Sequence, residues 1–250
     1  MPAPVYSIVT VTYDEAGNVD RFLKAIADAV RPLGEPFEII VVDDNSPDGT
    51  GRIVEATAAG EVPEARLVTR LVERGIGSAY RRGVDEALGK IIVLMDADFS
   101  HPPSELGSLL AGAEDGALTI GARFLRPGDF QTSLIRFLPT RTINLWHRHL
   151  LASGVHDHTN GYVAAPAAAL RRLIADGAAM GLEPFDRILY TLILVVAARR
   201  LGVPIHEVPA RYVFREVGET KIPFVRGVRL LFEEWFDSLR LFPYARKRIT

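Results

Sequence analysis

The sequence predicts an α/β fold, a mostly parallel central sheet flanked by helices. Short β-branched apolar runs alternate with amphipathic stretches through the first hundred residues. Each of the first four runs is followed by a polar, turn-rich group. With 250 residues, 48% hydrophobic and 24% charged, the chain is long enough for one large domain with a real core.

Val5 to Thr12 reads as the first strand. Asn18 to Val30 reads as a helix, because Val19, Phe22, Leu23, Ile26 and Val30 recur on one face. Phe37 to Val42 is a second buried strand, ending at Asp43-Asp44. Asn45 to Thr50 is dense turn chemistry, and a helix follows to Ala59. Ala65 to Leu71 is a third strand, Gly77 to Leu88 a helix and Ile91 to Met95 a fourth strand. This order implies parallel pairing with helices on both faces. Beyond it the pattern loosens. His101 to Ala113 reads as a helix with Pro102-Pro103 near its start, and Leu118 to Ala122 as a strand. Arg126 to Phe137 reads as a polar loop, expected to be mobile. Thr140 to Ala152, Ala167 to Ala175 and Pro184 to Leu201 read as helices, with a turn at Asn160-Gly161 between the first two. Ile205 to Phe214 alternates as a strand, Gly218 to Lys221 lies in a loop, and Val225 to Leu241 reads as an amphipathic helix before the basic Arg246-Lys247-Arg248. No linker or repeat interrupts the chain.

Several function classes are excluded. The formal net charge is -2, so there is no general basic field for nucleic acid. The absence of cysteine removes disulfides and thiolate metal sites, and suits a reducing compartment. The N-terminus lacks a signal-peptide pattern. The longest apolar run, Ile188 to Ala198, has 11 residues, against ~20 for a membrane span, and reads as a buried helix. A cytoplasmic protein is therefore expected, peripheral on a membrane at most. The first strand lacks G-x-G-x-x-G, and G-x-x-x-x-G-K-[ST] is absent, which disfavours a Rossmann dehydrogenase and a P-loop NTPase.

Asp96-Ala97-Asp98 directly follows the fourth strand. Two carboxylates one residue apart at a strand's carboxyl end can hold a hard divalent cation, or simply terminate the strand. Three other groups follow strands: Thr10 to Glu15, Asp43 to Ser46, and Arg70 with Gly75-Ile76-Gly77. In a parallel sheet these loops share one edge and converge on one crevice. Carboxylates there can accept hydrogen bonds from a base or ribose, and glycines permit close backbone approach, so a nucleotide site is expected.

These stretches resemble a known family. Val9-Thr10-Val11-Thr12-Tyr13-Asp14-Glu15, Val41-Val42-Asp43-Asp44-Asn45-Ser46-Pro47-Asp48-Gly49-Thr50, Gly75-Ile76-Gly77-Ser78-Ala79-Tyr80 and Met95-Asp96-Ala97-Asp98-Phe99-Ser100-His101-Pro102 look like the nucleotide-binding half of family 2 glycosyltransferases. The chain is most similar to the dolichol-phosphate mannose synthases and other polyprenyl-phosphate glycosyltransferases, a branch marked by S-P-D-G-T and D-A-D-x-S-H. The likeness continues through Gly121 to Phe124, Arg141 to Asn144, Asp157 to Tyr162 and Glu207 to Pro209, ending at Phe214 to Lys221. It implies a GT-A fold, a catalytic domain over residues 1–222 with residues 223–250 as its extension, and inverting transfer from a nucleotide sugar, GDP-mannose before a UDP-sugar, to a polyprenyl phosphate. It also implies Mg²⁺ or Mn²⁺ at Asp96 and Asp98, with Ser100 as a third polar ligand. Thr12, Tyr13, Glu15, Asp43, Asp44, Arg70, Gly75, Gly77 and Ala97 would line the nucleotide-sugar site. Asp98, Arg123, Arg141, Arg215 and Lys221 would be catalytic, the basic four on donor or acceptor phosphates.

The chemistry agrees. A lipid monophosphate is already an anionic nucleophile, so it needs positioning and charge compensation rather than a strong base. Arginine suits phosphate because its planar fork binds two oxygens. Asp157 could orient Arg141 or touch the sugar. The six histidines form no convincing metal set, and structural or surface roles are expected for His156 and His158, which could otherwise line a cleft. Trp146 and Trp235 read as core or interface anchors. Three positions depart from the family: Val11 replaces a usual proline, Val163 an arginine, and Tyr190-Thr191-Leu192-Ile193 places an apolar wall where polar groups are expected. The helix after Val225 carries apolar and basic residues, and could meet a membrane interface, a membrane partner subunit or the domain itself. The rival readings are transfer to a soluble acceptor, with Asp157 or His158 as general base, and a non-catalytic binding subunit.

Overall fold

The computed structural model describes residues 3–72, 75–126, 130–182, 190–213 and 224–245. Seven strands form one sheet: β1 (Tyr6–Thr12), β2 (Phe37–Asp43), β3 (Ala65–Thr69), β4 (Ile91–Leu94), β5 (Leu118–Ala122), β6 (Val163–Pro166) and β7 (Ile205–Pro209), in the spatial order β3-β2-β1-β4-β6-β5-β7. β1 pairs in parallel with β2 and β4, and β2 with β3. The first hundred residues thus fold as their alternation predicts.

Period-2 strand geometry divides the β-branched runs between two faces. Ile8, Ile39, Val41 and Val93 face α1 (Val19–Val30), α2 (Thr50–Ala59) and α4 (Leu106–Glu114). Val9, Ile40, Val42, Ile92 and Leu94 face the other layer, α3 (Ile76–Glu86), α6 (Ala167–Ala179) and α7 (Thr191–Leu201). Burial of one such aliphatic side chain contributes about 1.5–3 kcal/mol. Gly83 lets α3 lie directly on β1, since a Cβ there would sit 2.2 Å from Val9 Cγ1.

The later half departs from the expectation in four places. β6 was not anticipated; it lies antiparallel between β4 and β5. Its four residues, Val-Ala-Ala-Pro, are too short and too poor in β-formers to announce a strand. α5 (Leu134–Leu150) begins six residues before the expected Thr140, so Leu134 to Phe137 are helical rather than loop. Pro139 inside this helix masks it in the sequence. β7 stops at Pro209, short of Phe214, and α4 is preceded by a short 3-10 turn, Pro103–Glu105. The buried helix expected in the long apolar run is α7, whose Thr191 to Ala198 are all buried.

α8 (Phe224–Ala245) packs on α5 and α7, burying Asp237, Ser238, Leu241 and Ala245. Trp146 of α5 donates from Nε1 to Ser238 Oγ at 3.0 Å, and its ring lies 6.0 Å from that of Trp235. Both tryptophans are therefore helix–helix anchors, as expected. Among the described residues no helix is long and apolar enough to cross a membrane.

Candidate active site

Strands β1, β2 and β3 step outward to one side, and the chain then crosses to place β4 on the other side of β1. That reversal between β1 and β4 opens a crevice at the strands' carboxyl ends, where open α/β sheets bind ligands. Three non-glycine residues adopt left-handed backbone in the loops leaving this edge: Asp14 after β1, Asn45 after β2 and Phe99 after β4. Such conformations cost about 1–3 kcal/mol and persist where surrounding contacts impose them.

The β1 and β2 loops are tied to each other. Thr12 Oγ1 and Ser46 Oγ donate to Asp43 Oδ1 at 2.8 and 2.6 Å, and Ser46 N donates to Asp43 Oδ2 at 2.8 Å. Asp48 accepts from Ala16 N and from Thr50 N and Oγ1, while Thr50 Oγ1 accepts from Glu15 N at 3.0 Å. Glu15 is buried and accepts from Asn18 Nδ2 at 3.0 Å, and Tyr13 is exposed at the rim. Asp44 reaches toward β3. Arg70 Nε donates to its Oδ1 at 2.7 Å, and Gly75 N donates to its Oδ2 at 3.0 Å. Arg70 also donates to Gly75 O and Ser78 Oγ. Gly75, at φ +113, makes the bend that returns this loop to Asp44, and Gly77 is buried in the first turn of α3. Asp43, Asp44 and Arg70 thus organise the loops from within.

After β4, Asp96 Oδ1 accepts from the buried Tyr80 hydroxyl at 2.7 Å, and Asp98 Oδ1 accepts from Ser100 N at 2.9 Å. Burial and the charge of Asp96 raise the Tyr80 pKa well above its ordinary value, so this phenol is a durable donor. Ala97 and Ser100 are buried. Phe99 is clamped outside the pair, edge-on to Phe22 at 5.1 Å with the Arg21 guanidinium 4.8 Å over its ring. Among the described residues no group of three or more His, Cys, Asp or Glu could hold a metal alone. Two oriented carboxylates do fit Mg²⁺ or Mn²⁺ of the kind whose remaining ligands are water and substrate phosphate oxygens.

The basic part of the edge lies beyond β5. Because β6 is antiparallel, its first residue, Val163, pairs with Leu94 at the carboxyl end of β4. The segment leading into β6 therefore arrives at the same edge, beside Arg123 after β5. Arg123 Nε and Nη2 donate to both oxygens of Asp157 at 2.8 and 2.9 Å, and Nη2 also donates to Thr159 Oγ1 at 2.7 Å. Burial alone would raise the Asp157 pKa, but the Arg123 charge and hydrogen bonds outweigh it and hold the carboxyl below its ordinary range. Asp157 thus orients Arg123, where the sequence suggests Arg141 or the sugar. The two arginines flank one ring, with guanidinium carbons 5.7 and 5.1 Å from the Phe124 centroid. Neither Arg123 Nη1 nor the Arg141 guanidinium makes a hydrogen bond among the described residues. The Tyr212 hydroxyl, whose pKa is raised chiefly by burial, also feels Asp98, Arg123 and Asp96, so both halves of the edge share one field.

His158 is buried, its pKa pushed down to about 3 by burial and then by His147, and its Nε2 meets Ser153 Oγ at 2.8 Å. His101, stacked on Tyr162, is pushed down to about 4 by burial and then by Arg123. His156 is held on Glu207. Tyr190 and Thr191 are not an apolar wall at their hydroxyls, which donate to Gly161 O at 2.7 Å and Asn160 O at 2.6 Å. Val163 is buried in the sheet. Arg215 and Lys221 lie outside the described residues. Sequence reasoning did not single out Tyr80, Thr159 or Asn144 for a role. Their only signal was membership of the quoted motifs.

The Glycosyl transferase family 2 profile matches residues 7–174. A polyprenol monophosphomannose synthase of Mycolicibacterium smegmatis is 32% identical over 235 residues, 91% of this chain and 85% of that protein. An undecaprenyl-phosphate mannosyltransferase of Micrococcus luteus is 34% identical over 217 residues, 84% of each. Two solved structures share the fold at 19% identity. Glucosyl-3-phosphoglycerate synthase from Mycobacterium tuberculosis, with Mn²⁺, UDP and glucosyl-3-phosphoglycerate, superimposes with a TM-score of 0.64 over 99% of this chain and 82% of that one. A mannosyltransferase from Pyrobaculum calidifontis with GDP-Man and Mn²⁺ gives 0.63 over 95% and 65%. With the sheet reversal, the edge loops and these likenesses in agreement, the chain belongs to glycosyl transferase family 2 and is a glycosyltransferase of GT-A fold.

Proposed function

We propose that this enzyme moves mannose from GDP-mannose to the phosphate of a polyprenyl phosphate, with inversion at the anomeric carbon. The observation that carries the reading is Arg123. It is a buried guanidinium held by Asp157 and Thr159 and packed on Phe130, with no hydrogen bond from Nη1 among the described residues, and it shares the field of Asp96 and Asp98 at Tyr212. An acceptor phosphate oxygen attacks C1 of the sugar, the bond from C1 to the GDP oxygen breaks, and GDP leaves with the electron pair. The phosphate monoester is already anionic, so no proton has to be removed. Arg123 and Arg141, with Arg215 and Lys221, compensate phosphate charge. Asp96 and Asp98 would hold Mg²⁺ or Mn²⁺, which neutralises the charge developing on the diphosphate. The β1, β2 and β3 loops, from Thr12 to Gly77, take the nucleotide.

The names of the two relatives support mannose and a polyprenyl phosphate. Transfer to a hydroxyl acceptor would need a general base, and Asp157 and His158, the two candidates, are poorly suited. Asp157 is committed to Arg123, and His158 lies buried against Ser153. A lipid acceptor also requires a bilayer. Leu134, Ile135 and Leu138 of α5 and Phe232, Trp235, Phe236 and Leu239 of α8 are exposed, and Trp146 joins the two helices. We assign this apolar, tryptophan-bearing face to the membrane interface, a membrane partner subunit being the other occupant to test. Residues 223–250 then serve as an extension of the catalytic domain over 1–222.

The test pairs labelled GDP-mannose and UDP-sugars with a short polyprenyl phosphate and Mn²⁺, beside Asp98→Ala. Label is expected in the organic phase from GDP-mannose, and not in the variant. Turnover only with a soluble acceptor such as phosphoglycerate would defeat the lipid reading. Donor binding without turnover on any acceptor would defeat the enzymatic reading.

A further inference from the structure

We infer that Asn144 and Thr159 are positioning residues for Arg123, and that through them α5 sets the direction in which Arg123 presents Nη1. The inference rests on the reading of Arg123 as a phosphate ligand. A guanidinium has five N–H groups in one plane. In Arg123 three are spoken for, two by Asp157 and one by Thr159. The Asp157 carboxylate is itself held by the backbone N–H groups of Arg123 and Thr159, at 3.0 and 3.3 Å, and it grips the fork along its Nε–Nη2 edge. Thr159 is the third point, on the Nη2 side, and it fixes the plane.

Thr159 can serve because its own hydroxyl has no orientational freedom. Oγ1 accepts from Arg123 Nη2 at 2.7 Å and from Asn144 Nδ2 at 2.8 Å, and its proton points to Asp157 Oδ1 at 3.3 Å. One donor and two acceptor sites are the whole capacity of a hydroxyl. Asn144 is held as fully. Its Oδ1 accepts from His158 N at 2.6 Å, and Nδ2 donates to Thr140 O at 2.9 Å as well as to Thr159. The amide cannot be flipped, because its oxygen faces a backbone N–H. Asn144 is 1% exposed and lies on α5, the helix whose N-terminal turns expose Leu134, Ile135 and Leu138. A continuous chain of hydrogen bonds thus runs from α5 through Asn144 and Thr159 to Arg123. Where α5 sits decides where Nη1 points.

The experiment measures steady-state kinetics with GDP-mannose, Mn²⁺ and a short polyprenyl phosphate. Thr159→Val keeps the shape and removes the hydroxyl; Thr159→Ser restores it. For Thr159→Val the expected result is a roughly tenfold loss in kcat/KM for the lipid phosphate, with KM for GDP-mannose unchanged and most of the loss recovered in Thr159→Ser. In an Arg123→Lys background, which has no fork to hold, Thr159→Val should cost little more. Equal loss toward donor and acceptor, or full additivity with Arg123→Lys, would mean that Thr159 only supports the fold. Arg123→Lys impaired while Thr159→Val matches the wild type would overturn the positioning role alone. Arg123→Lys with unchanged acceptor kinetics would overturn the phosphate reading of Arg123 and the inference with it. Should Thr159→Val fail to fold, Thr159→Ala and Asn144→Asp replace it. The aspartate inverts a donor and is expected to lower acceptor kcat/KM further than Thr159→Ala, and a weaker effect than Thr159→Ala counts against the relay.

Discussion

The two halves of the carboxyl edge are built on opposite plans. The half made by β1 to β4 uses short loops whose polar residues bind neighbours on the same or the adjoining loop, as Asp43 binds Ser46 and Thr12, and Asp44 binds Arg70 and Gly75. The half made by β5 to β7 draws on distant segments, Arg123, Asn144, Asp157 to Thr159 and Tyr212, joined through buried charge. The first is rigid through local closure; the second is rigid only while several elements stay docked. Damage on the first side should therefore be chemical and confined, and damage on the second should couple activity to stability.

The largest effect should come from the first half. Asp98→Ala is expected to lower transfer by on the order of a thousandfold while leaving the melting temperature nearly unchanged, checked by kinetics and thermal denaturation side by side. Asp157→Ala tests the second half. It leaves Arg123 buried without its counter-charge, so a loss of about 3–5 kcal/mol is expected with impaired acceptor turnover, read by urea unfolding. A stable Asp157→Ala protein would erase the contrast. Next in size, Ile135→Glu combined with Phe236→Glu should weaken sedimentation with anionic vesicles by about tenfold without altering donor hydrolysis, since both side chains are exposed. Unchanged sedimentation would return that face to a protein partner.

A last test, confined to one buried side chain, sharpens the comparison through pH. His158 binds its proton near pH 6.5 when unfolded and near 3 when folded. The unfolded chain thus takes up the proton first as pH falls. The stability from neutral burial is complete above about pH 6.5 and declines toward pH 3, by up to about 1.4 kcal/mol per pH unit. Melts at pH 7 and pH 5 should show this slope, and His158→Gln should flatten it.

The two plans also explain what was legible. Val5 to Thr12 and Ile91 to Met95 announce themselves because parallel strands buried on both faces are continuous β-branched runs. Their loops could be placed at one edge from strand order alone. Asp157 could not be assigned to Arg123, since that pairing follows from the antiparallel entry of β6, and Val163 to Pro166 carries no strand signal. The helix that the sequence starts at Thr140 begins at Leu134, because Pro139 hides the residues before it. Tyr80 reads as one residue of the helix from Gly77 to Leu88; its bond to Asp96 depends on how closely Gly83 lets α3 approach β1.

The reversed strand has a consequence for how such an enzyme can change. A parallel strand can deliver a loop to the working edge only from its end, where the next helix must begin. β6 delivers one from its beginning, so the segment from Leu151 to Tyr162 reaches the edge with no crossover helix to rebuild. Apart from Asp157, His158 and Thr159, residues can be exchanged or added there while Asp43, Asp44, Asp96 and Asp98 keep their strands and partners. Change in that segment can therefore stay confined to it, leaving the loops of β1, β2 and β4 as they are.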